Sequence, residues 1–295
     1  MAEGLGSLAG IPAVGDSDGI LVPGDNLADL LAAGHIGHQF SPAEIAEFCD
    51  VTGDPNQIHR GSNPIIPGML NLCYAAYPAG GWVLEGGYNA LAAYFTEVTS
   101  PCDRIVAAHR LAPDAQSLEL LACFLRDGKL LDALGKTVQS GFYFKDAQVP
   151  GGLSLAQHIV FDGDRFERFA DLISPMAEKG REGIRGFLFS VAMASSALYR
   201  AIDNPETPEQ EEVACRISTA GRSPVYLGLD FAMPGGIWNP VPGKFDYSVV
   251  PSLRGWNADF SLVMAQQGRV LYQASLAVKL VTPPMIERMV AQARP

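Results

Sequence analysis

Within TGDPNQIHRG (residues 52–61) an aspartate, an asparagine and a histidine, Asp54, Asn56 and His59, stand inside six residues. A carboxylate and an imidazole at this spacing can act as an acid/base pair. An imidazole titrates at roughly 6.5, so it can take or give a proton near neutral pH. Downstream, PGML (Pro67–Leu70) opens an apolar helical segment. The first N–H groups of such a helix, at Gly68 and Met69, can hold a developing oxyanion with the help of the helix dipole. Glycine at 68 lets a ligand approach the backbone closely. Gly-Asp-Pro-Asn also suits an ordinary turn, in which Asp and Asn bond to local backbone. What lifts the stretch above a turn is its frame: a well-capped helix before it and PGML after it.

That frame occurs twice. In SPAEIAEFCDVTGD, Ser41 is a good N-cap, Pro42 suits the first helical position and Glu44 completes a capping box, with Ile45, Phe48 and Cys49 on one face. In FDGDRFERFADLISP, from Phe161, Asp164 can cap, Glu167 follows three residues on, and Phe166, Phe169, Leu172 and Ile173 make the stripe. Each short helix precedes a longer apolar one, Pro67–Ala79 and then Arg185–Ala201. Each half ends in strand-like sequence. Asp127-Gly128 and Gln267-Gly268 read as hairpin turns, and Val270, Tyr272, Ala274, Leu276, Val278 and Leu280 alternate with their neighbours. A Gly/Pro-rich seam, Asp146–Ser154, divides the repeats, and the acidic Asp203–Glu212 reads as a solvated insertion. The expected fold class is α+β, an antiparallel sheet with an apolar helix on one face, present in two copies over residues 1–148 and 149–295.

Composition narrows the function. The chain has 295 residues, 48% of them hydrophobic, and a formal charge of -11. No dense basic cluster is present, which argues against nucleic acid as a partner. No apolar run is long enough for a membrane span, and the N-terminus lacks the pattern of a signal peptide. The five cysteines are scattered with no C-x-x-C, which fits free thiols in a reducing, cytoplasmic compartment better than a disulfide framework or zinc site.

From Phe40-Ser41 to Leu70 the sequence resembles the signature region of the MaoC-like, or (R)-specific, enoyl-thioester hydratases and dehydratases. Their pattern is an aromatic, a short helix, G-D-x-N-P-h-H (h apolar), and a Gly-Met-Leu opening the central helix. It stands here as Gly53, Asp54, Pro55, Asn56, Gln57, Ile58 and His59, then Gly68-Met69-Leu70. Gln57 replaces the usual proline, and the connection from His59 to Gly68 is shorter than in the family. The resemblance implies a hot-dog fold, a long helix wrapped by an antiparallel sheet, duplicated in larger members. It implies a lyase that adds or removes water at a 2-enoyl/3-hydroxyacyl thioester. Asp54 and His59 would form the catalytic dyad. Asn56, Gly68 and Met69 would bind substrate, with Asn56 also ordering the loop, and no metal or cofactor would be needed. The partner would be an acyl-CoA or an acyl group on carrier protein. Arg104, Arg110, Arg181 and Arg185 are candidates for an anion-binding rim, and a homodimer is a further expectation. Two other functions fit the same residues: a hot-dog thioesterase, with Asp54 orienting water, and a catalytically inactive acyl-binding protein.

The second repeat has Ser174–Lys179 where the first has its dyad, so it is expected to be silent and to serve as one wall of the acyl pocket. His35 and His38 could pair on a metal but more simply form a packed or solvated pair. His109 reads as a strand histidine, and His158 has no obvious partner. Gly4, Gly6 and Gly10 follow no strand and make no dinucleotide loop. No G-x-S-x-G elbow is present. The Pro/Gly/Asn run from Pro234 to Pro242 reads as a loop.

Overall fold

The computed structural model describes residues 38–61, 64–77, 80, 83, 87–95, 98–111, 118–126, 129–130, 139–145, 157–173, 182–219, 221–234 and 241–292, with backbone alone for those among 106–145 and for 182–183, 290 and 292. The first elements are α1 (Pro42–Thr52), a 3-10 turn (Gln57–His59) and α2 (Gly68–Ala76). Five strands follow: β1 (Ala90–Tyr94), β2 (Arg104–Leu111), β3 (Leu118–Arg126), β4 (Lys129–Leu130) and β5 (Gln139–Lys145). The pattern then restarts with β6 (Gln157–Phe161), α3 (Gly163–Ile173), α4 (Glu182–Asp203) and α5 (Pro208–Thr219). It closes with β7 (Ser223–Ala232), β8 (Gly243–Arg254), β9 (Asn257–Gln266), β10 (Arg269–Val281) and α6 (Pro283–Gln292).

The described strands form one antiparallel sheet in the order β2-β3-β5-β1-β7-β10-β9-β8-β6, with β4 pairing β3. The two halves meet where β1 pairs β7, Ala92 opposite Asp230. Outward from that seam the order is β1-β5-β3-β2 on one side and β7-β10-β9-β8 on the other. The match extends to the edges. β6 pairs β8 just before α3, and on the other side His38 makes an isolated bridge to Ile105 of β2 just before α1. The repeat expected from the sequence is therefore present in the topology. The seam Asp146–Ser154 lies outside the described residues, as do Ser174–Lys179, His35, the Gly4–Gly10 run and residues 235–240 of the Pro234–Pro242 loop.

Local sequence sets the elements. Ser41 Oγ accepts from Glu44 N at 3.2 Å while Glu44 Oε2 accepts from Ser41 N at 2.7 Å, the reciprocal capping box, and Pro42 sits where no N–H is needed. The α3 cap differs from expectation. Asp162, not Asp164, accepts from Arg165 N at 2.9 Å, so the helix starts at Gly163 and Asp164 falls in its first turn. There the carboxylate still favours the dipole. The β9–β10 turn has Gln267 and Gly268 both at positive φ, 52° and 76°, as a tight two-residue hairpin requires. On the other side Arg126 pairs Lys129 across positions 127–128, which themselves lie outside the described residues. In β10, Tyr272, Ala274, Leu276, Val278 and Leu280 are buried, matching the alternation, but a register shift between Val270 and Tyr272 leaves Val270 half-buried and buries Leu271 instead. The acidic stretch Asp203–Glu212 is less simple than a solvated insertion. It runs into α5, where Gln210 is buried and donates to Val249 O of β8 at 2.7 Å.

The core lies between the sheet and the helices. Phe189 of α4 is its aromatic hub, with Phe161, Phe169 and Phe166 at 4.9, 5.0 and 5.6 Å between centroids. α1 and α3 pack through Phe48 and Phe169 and are tied by Arg168–Glu47 at 2.8 Å. Arg165 Nε donates to Val51 O at 2.9 Å, satisfying a carbonyl at the C-terminal end of α1. These contacts fix the exit of α1, and the residues that leave it are Gly53 and Asp54.

Candidate active site

Gly53 ends α1 in the left-handed region at φ 75°, and a Cβ there would stand 2.9 Å from Ser196 Oγ of α4. Glycine is needed on both counts. The chain then turns tightly. Asp54 Oδ1 accepts from Asn56 N at 2.9 Å, and Asn56 Oδ1 caps the 3-10 turn by accepting from Ile58 N at 3.4 Å. These are the local Asx bonds that the ordinary-turn view foresaw. The carboxylate and imidazole are nonetheless brought together and buried: Asp54 is 2% and His59 6% exposed. Asp54 Oδ2 and His59 Nε2 are 4.0 Å apart, too far for a direct hydrogen bond.

The short connection after His59 has a visible consequence. It doubles back so that Ile65 N donates to Ile58 O at 2.9 Å and Ile65 O lies 2.7 Å from His59 Nδ1. A carbonyl can only accept, so Nδ1 carries the proton and Nε2 presents its lone pair towards Asp54. Burial pushes the His59 pKa below 6.5. The Asp54 charge and the Ile65 carbonyl oppose that shift, and Arg60 adds to it. Arg60 itself spans Asp50 Oδ1 at 3.0 Å and Asp54 O at 3.3 Å.

The second repeat supplies groups that the sequence did not flag. Ser195 of α4 donates to Asp54 Oδ2 at 3.4 Å and is hydrogen-bonded to Tyr226 of β7 at 2.5 Å. Asn56 Nδ2 donates to Tyr199 OH at 2.6 Å and to Pro224 O at 3.2 Å. Burial, reinforced by the Asp54 charge, pushes the phenols of Tyr199 and Tyr226 well above their usual value, so they act as neutral hydroxyls. The partners of Asp54 and Asn56 on α4 and β7 lie 141 to 168 positions away in the chain, and no local pattern could announce them.

Asn56, His59, Gly68 and Asn71 line one recess of about 50 Å³, with Ile65, Phe95, Pro224 and Tyr226 among its walls. Pro224 and Tyr226 come from the second repeat. At the mouth of α2, Leu70 N and Asn71 N bond back to Pro67 O at 3.0 and 3.2 Å, while Gly68 and Met69 carry the N–H groups ahead of that ladder. Met69 is buried, and neither it nor Asp54 is among the residues that line the recess. Gly68 has a different neighbour from the one expected. A Cβ there would meet the Phe95 ring at 2.9 Å, so the space freed by glycine is filled by Phe95.

The remaining candidates fall elsewhere. His38 Nε2 is 2.9 Å from Glu44 Oε1 and its ring packs on Phe40 and Tyr74. Among the described residues no group of three His, Cys, Asp or Glu side chains could hold a metal, and no helix is long and apolar enough to cross a membrane. His158 is exposed on β6. Of the arginines considered for an anion-binding rim, Arg104 is exposed and Arg185 reaches Tyr77. The side chains of Arg110 and His109, and all of Arg181, lie outside the described residues. Cys49 and Cys73 are buried free thiols, and burial pushes Cys49 up to about 12.

No protein-family model and no curated protein matches the sequence. Solved structures do. RV0216 of Mycobacterium tuberculosis, a conserved hypothetical protein with a double hot-dog fold, aligns at a TM-score of 0.51 and 9% identity, covering 84% of this chain and 94% of its own. HtdX of M. tuberculosis aligns at 0.45 and 12% identity, covering 81% and 96%. A bifunctional dehydratase-cyclase domain of ambruticin biosynthesis aligns at 0.47 and 13%, covering 87% and 98%. The first alignment speaks to the fold, and the other two are too distant to argue from. With a sheet-wrapped helix repeated about the β1–β7 seam, the chain has the double hot-dog fold.

Proposed function

We propose that the chain is a hydro-lyase acting on a 2-enoyl/3-hydroxyacyl thioester. The observation that carries this reading is a buried imidazole with a defined tautomer, 4.0 Å from a buried carboxylate, in a recess that also holds the N-terminus of α2. A thioester carbonyl would lie at the Gly68 and Met69 N–H groups, which stabilise the enolate-like oxygen that forms when C2 loses or gains a proton. His59 Nε2, a neutral base, would take the C2 proton and return a proton to the departing 3-hydroxyl, which leaves as water. Hydration is the same path reversed. Asp54, held by Asn56 N and Ser195, would not move the proton itself. Its charge favours the imidazolium that exists between the two transfers.

The acyl donor would be carried on coenzyme A or on a carrier protein. Both present the same thioester to the site, and both are anionic outside it. The test is the ultraviolet absorbance of a conjugated enoyl thioester incubated with wild type and His59→Ala. Loss of the band with wild type, abolished by the substitution, is expected. Thiol release without change at the enoyl group would instead favour a thioesterase. A folded protein that binds the thioester without turnover would favour an inactive binder.

A further inference from the structure

Among the polar side chains that line the recess and that this chemistry has not used, Asn71 has a buried acceptor without a partner. Asn71 is the fourth residue of α2 and is 5% exposed. Its Nδ2 donates to Thr99 Oγ1 at 2.7 Å, and Thr99 is itself 2% exposed. Its Oδ1 is buried with no hydrogen-bond partner. Leaving a buried acceptor unpaired costs about 1–3 kcal/mol, so such an atom calls for an explanation. Asn71 lines the same recess as His59 and Gly68. Helical side chains lean towards the N-terminus of their helix, which sets Asn71 over the turn that bears the Gly68 and Met69 N–H groups.

We propose that Asn71 Oδ1 accepts the hydrogen bond of the substrate's 3-hydroxyl, or of the water that replaces it, and thereby orients that oxygen towards the dyad. The inference rests on the hydro-lyase reading. Within the acyl group and its thioester the hydrogen-bonding groups divide in one way. The thioester carbonyl is an acceptor and belongs to the helix N–H groups. The acyl carbons carry no donor. The 3-hydroxyl is both donor and acceptor. If its own hydrogen points at Asn71, a lone pair is left to receive the proton from His59. When the C3–O bond breaks, the oxygen departs as water with one hydrogen on Asn71 and the other supplied by the imidazole, which had taken a proton from C2. In hydration the attacking water gives one proton to His59 and keeps the other on Asn71. Thr99 fixes the amide so that Oδ1, and not Nδ2, faces the ligand.

The test compares wild type, Asn71→Leu and Thr99→Val with a 3-hydroxyacyl pantetheine thioester as substrate. A saturated acyl pantetheine thioester of the same length serves as competitive inhibitor. For Asn71→Leu, kcat/KM for dehydration should fall by about tenfold or more, the effect of one hydrogen bond lost in a desolvated site. The inhibition constant of the saturated thioester, which has no hydroxyl, should stay within about twofold. Thr99→Val frees the amide without removing it and should lower kcat/KM in the same sense by less. It carries the comparison if Asn71→Leu does not fold. Equal weakening of both ligands, or no change in either variant, overturns the role of Asn71 while leaving an active wild type and its hydro-lyase reading intact. A wild type that turns over no 3-hydroxyacyl or enoyl thioester overturns that reading and the inference with it.

Discussion

Asn56 should be a strut between the two repeats, and its replacement gives a sharply ordered set of stabilities. Its Nδ2 bonds Tyr199 OH at 2.6 Å and Pro224 O at 3.2 Å, while its Oδ1 makes a long 3.4 Å bond to Ile58 N. Asn56→Ala removes two good hydrogen bonds at about 1 kcal/mol each, plus a fraction for the weaker one. No new orphan carbonyl is created, because Tyr199 OH also donates to Pro224 O at 3.3 Å. The expected loss is therefore about 2–3 kcal/mol. Asn56→Asp keeps the shape but sets an acceptor where a donor is needed. The new carboxylate would face Pro224 O, which cannot donate, close to the existing Asp54. Tyr199 OH can turn its hydrogen to the new oxygen only by leaving Pro224 O unpaired, and a second buried charge beside Asp54 stays poorly compensated, at a cost of about 3–5 kcal/mol, so the isosteric change should be worse than the truncation. Urea unfolding of both variants, with the slope m checked for constancy, measures the order. Equal stability of Asn56→Asp and Asn56→Ala, or Asn56→Ala within about 0.5 kcal/mol of wild type, would refute the strut.

His59 gives a second expectation. Its folded pKa lies below 6.5, so as pH falls below that value the unfolded chain binds a proton that the folded chain refuses. Its contribution to stability is thus present above 6.5 and is lost as pH falls towards the folded pKa, and in His59→Gln this component of the pH-dependence of unfolding should vanish. By the same sign, kcat/KM of wild type should rise with pH through a midpoint below 6.5, where the ring becomes a neutral base. Phe189→Ala, which empties the centre of the Phe161/Phe166/Phe169 cluster, should cost about 3–5 kcal/mol in thermal or urea unfolding. A loss below about 1 kcal/mol would show that the cluster is not the hub described. Phe95→Ala, which uncovers Gly68 and widens the recess, should shift substrate preference towards bulkier acyl thioesters in competition assays. An unchanged preference would place the acyl group elsewhere.

What the sequence disclosed was local. The Ser41–Glu44 capping box, the glycine at 53, the Gln267-Gly268 turn and the alternation of β10 from Tyr272 onward each depend on neighbours within a few residues, and each is where the pattern put it. Asp164 has the residue type of a cap, but the helix starts at Gly163, which gives that place to Asp162. The helical segment α5 was hidden by its acidic lead-in, since its anchor is one buried glutamine bonded to a distant strand. The proximity of Asp54 and His59 follows from one turn and was legible. Their environment was not. Ser195, Tyr199 and Tyr226 are ordinary residues on a helix and a strand, and they come beside Asp54 and Asn56 only when the repeats close on each other. The reason for Gly68 also depended on a distant residue, Phe95, that no spacing could name.

The central claim is that His59, with the Asp54 charge beside it, moves a proton at C2 while water enters or leaves at C3. It is tested most directly by following a 2-enoyl pantetheine thioester in deuterium oxide by proton NMR, with wild type and Asp54→Asn. Wild type should give the 3-hydroxyacyl thioester carrying one deuterium at C2, with the thioester intact, and Asp54→Asn should give little or none. Release of free acid and thiol, or an unchanged enoyl spectrum with folded wild-type protein and either carrier, would contradict the account.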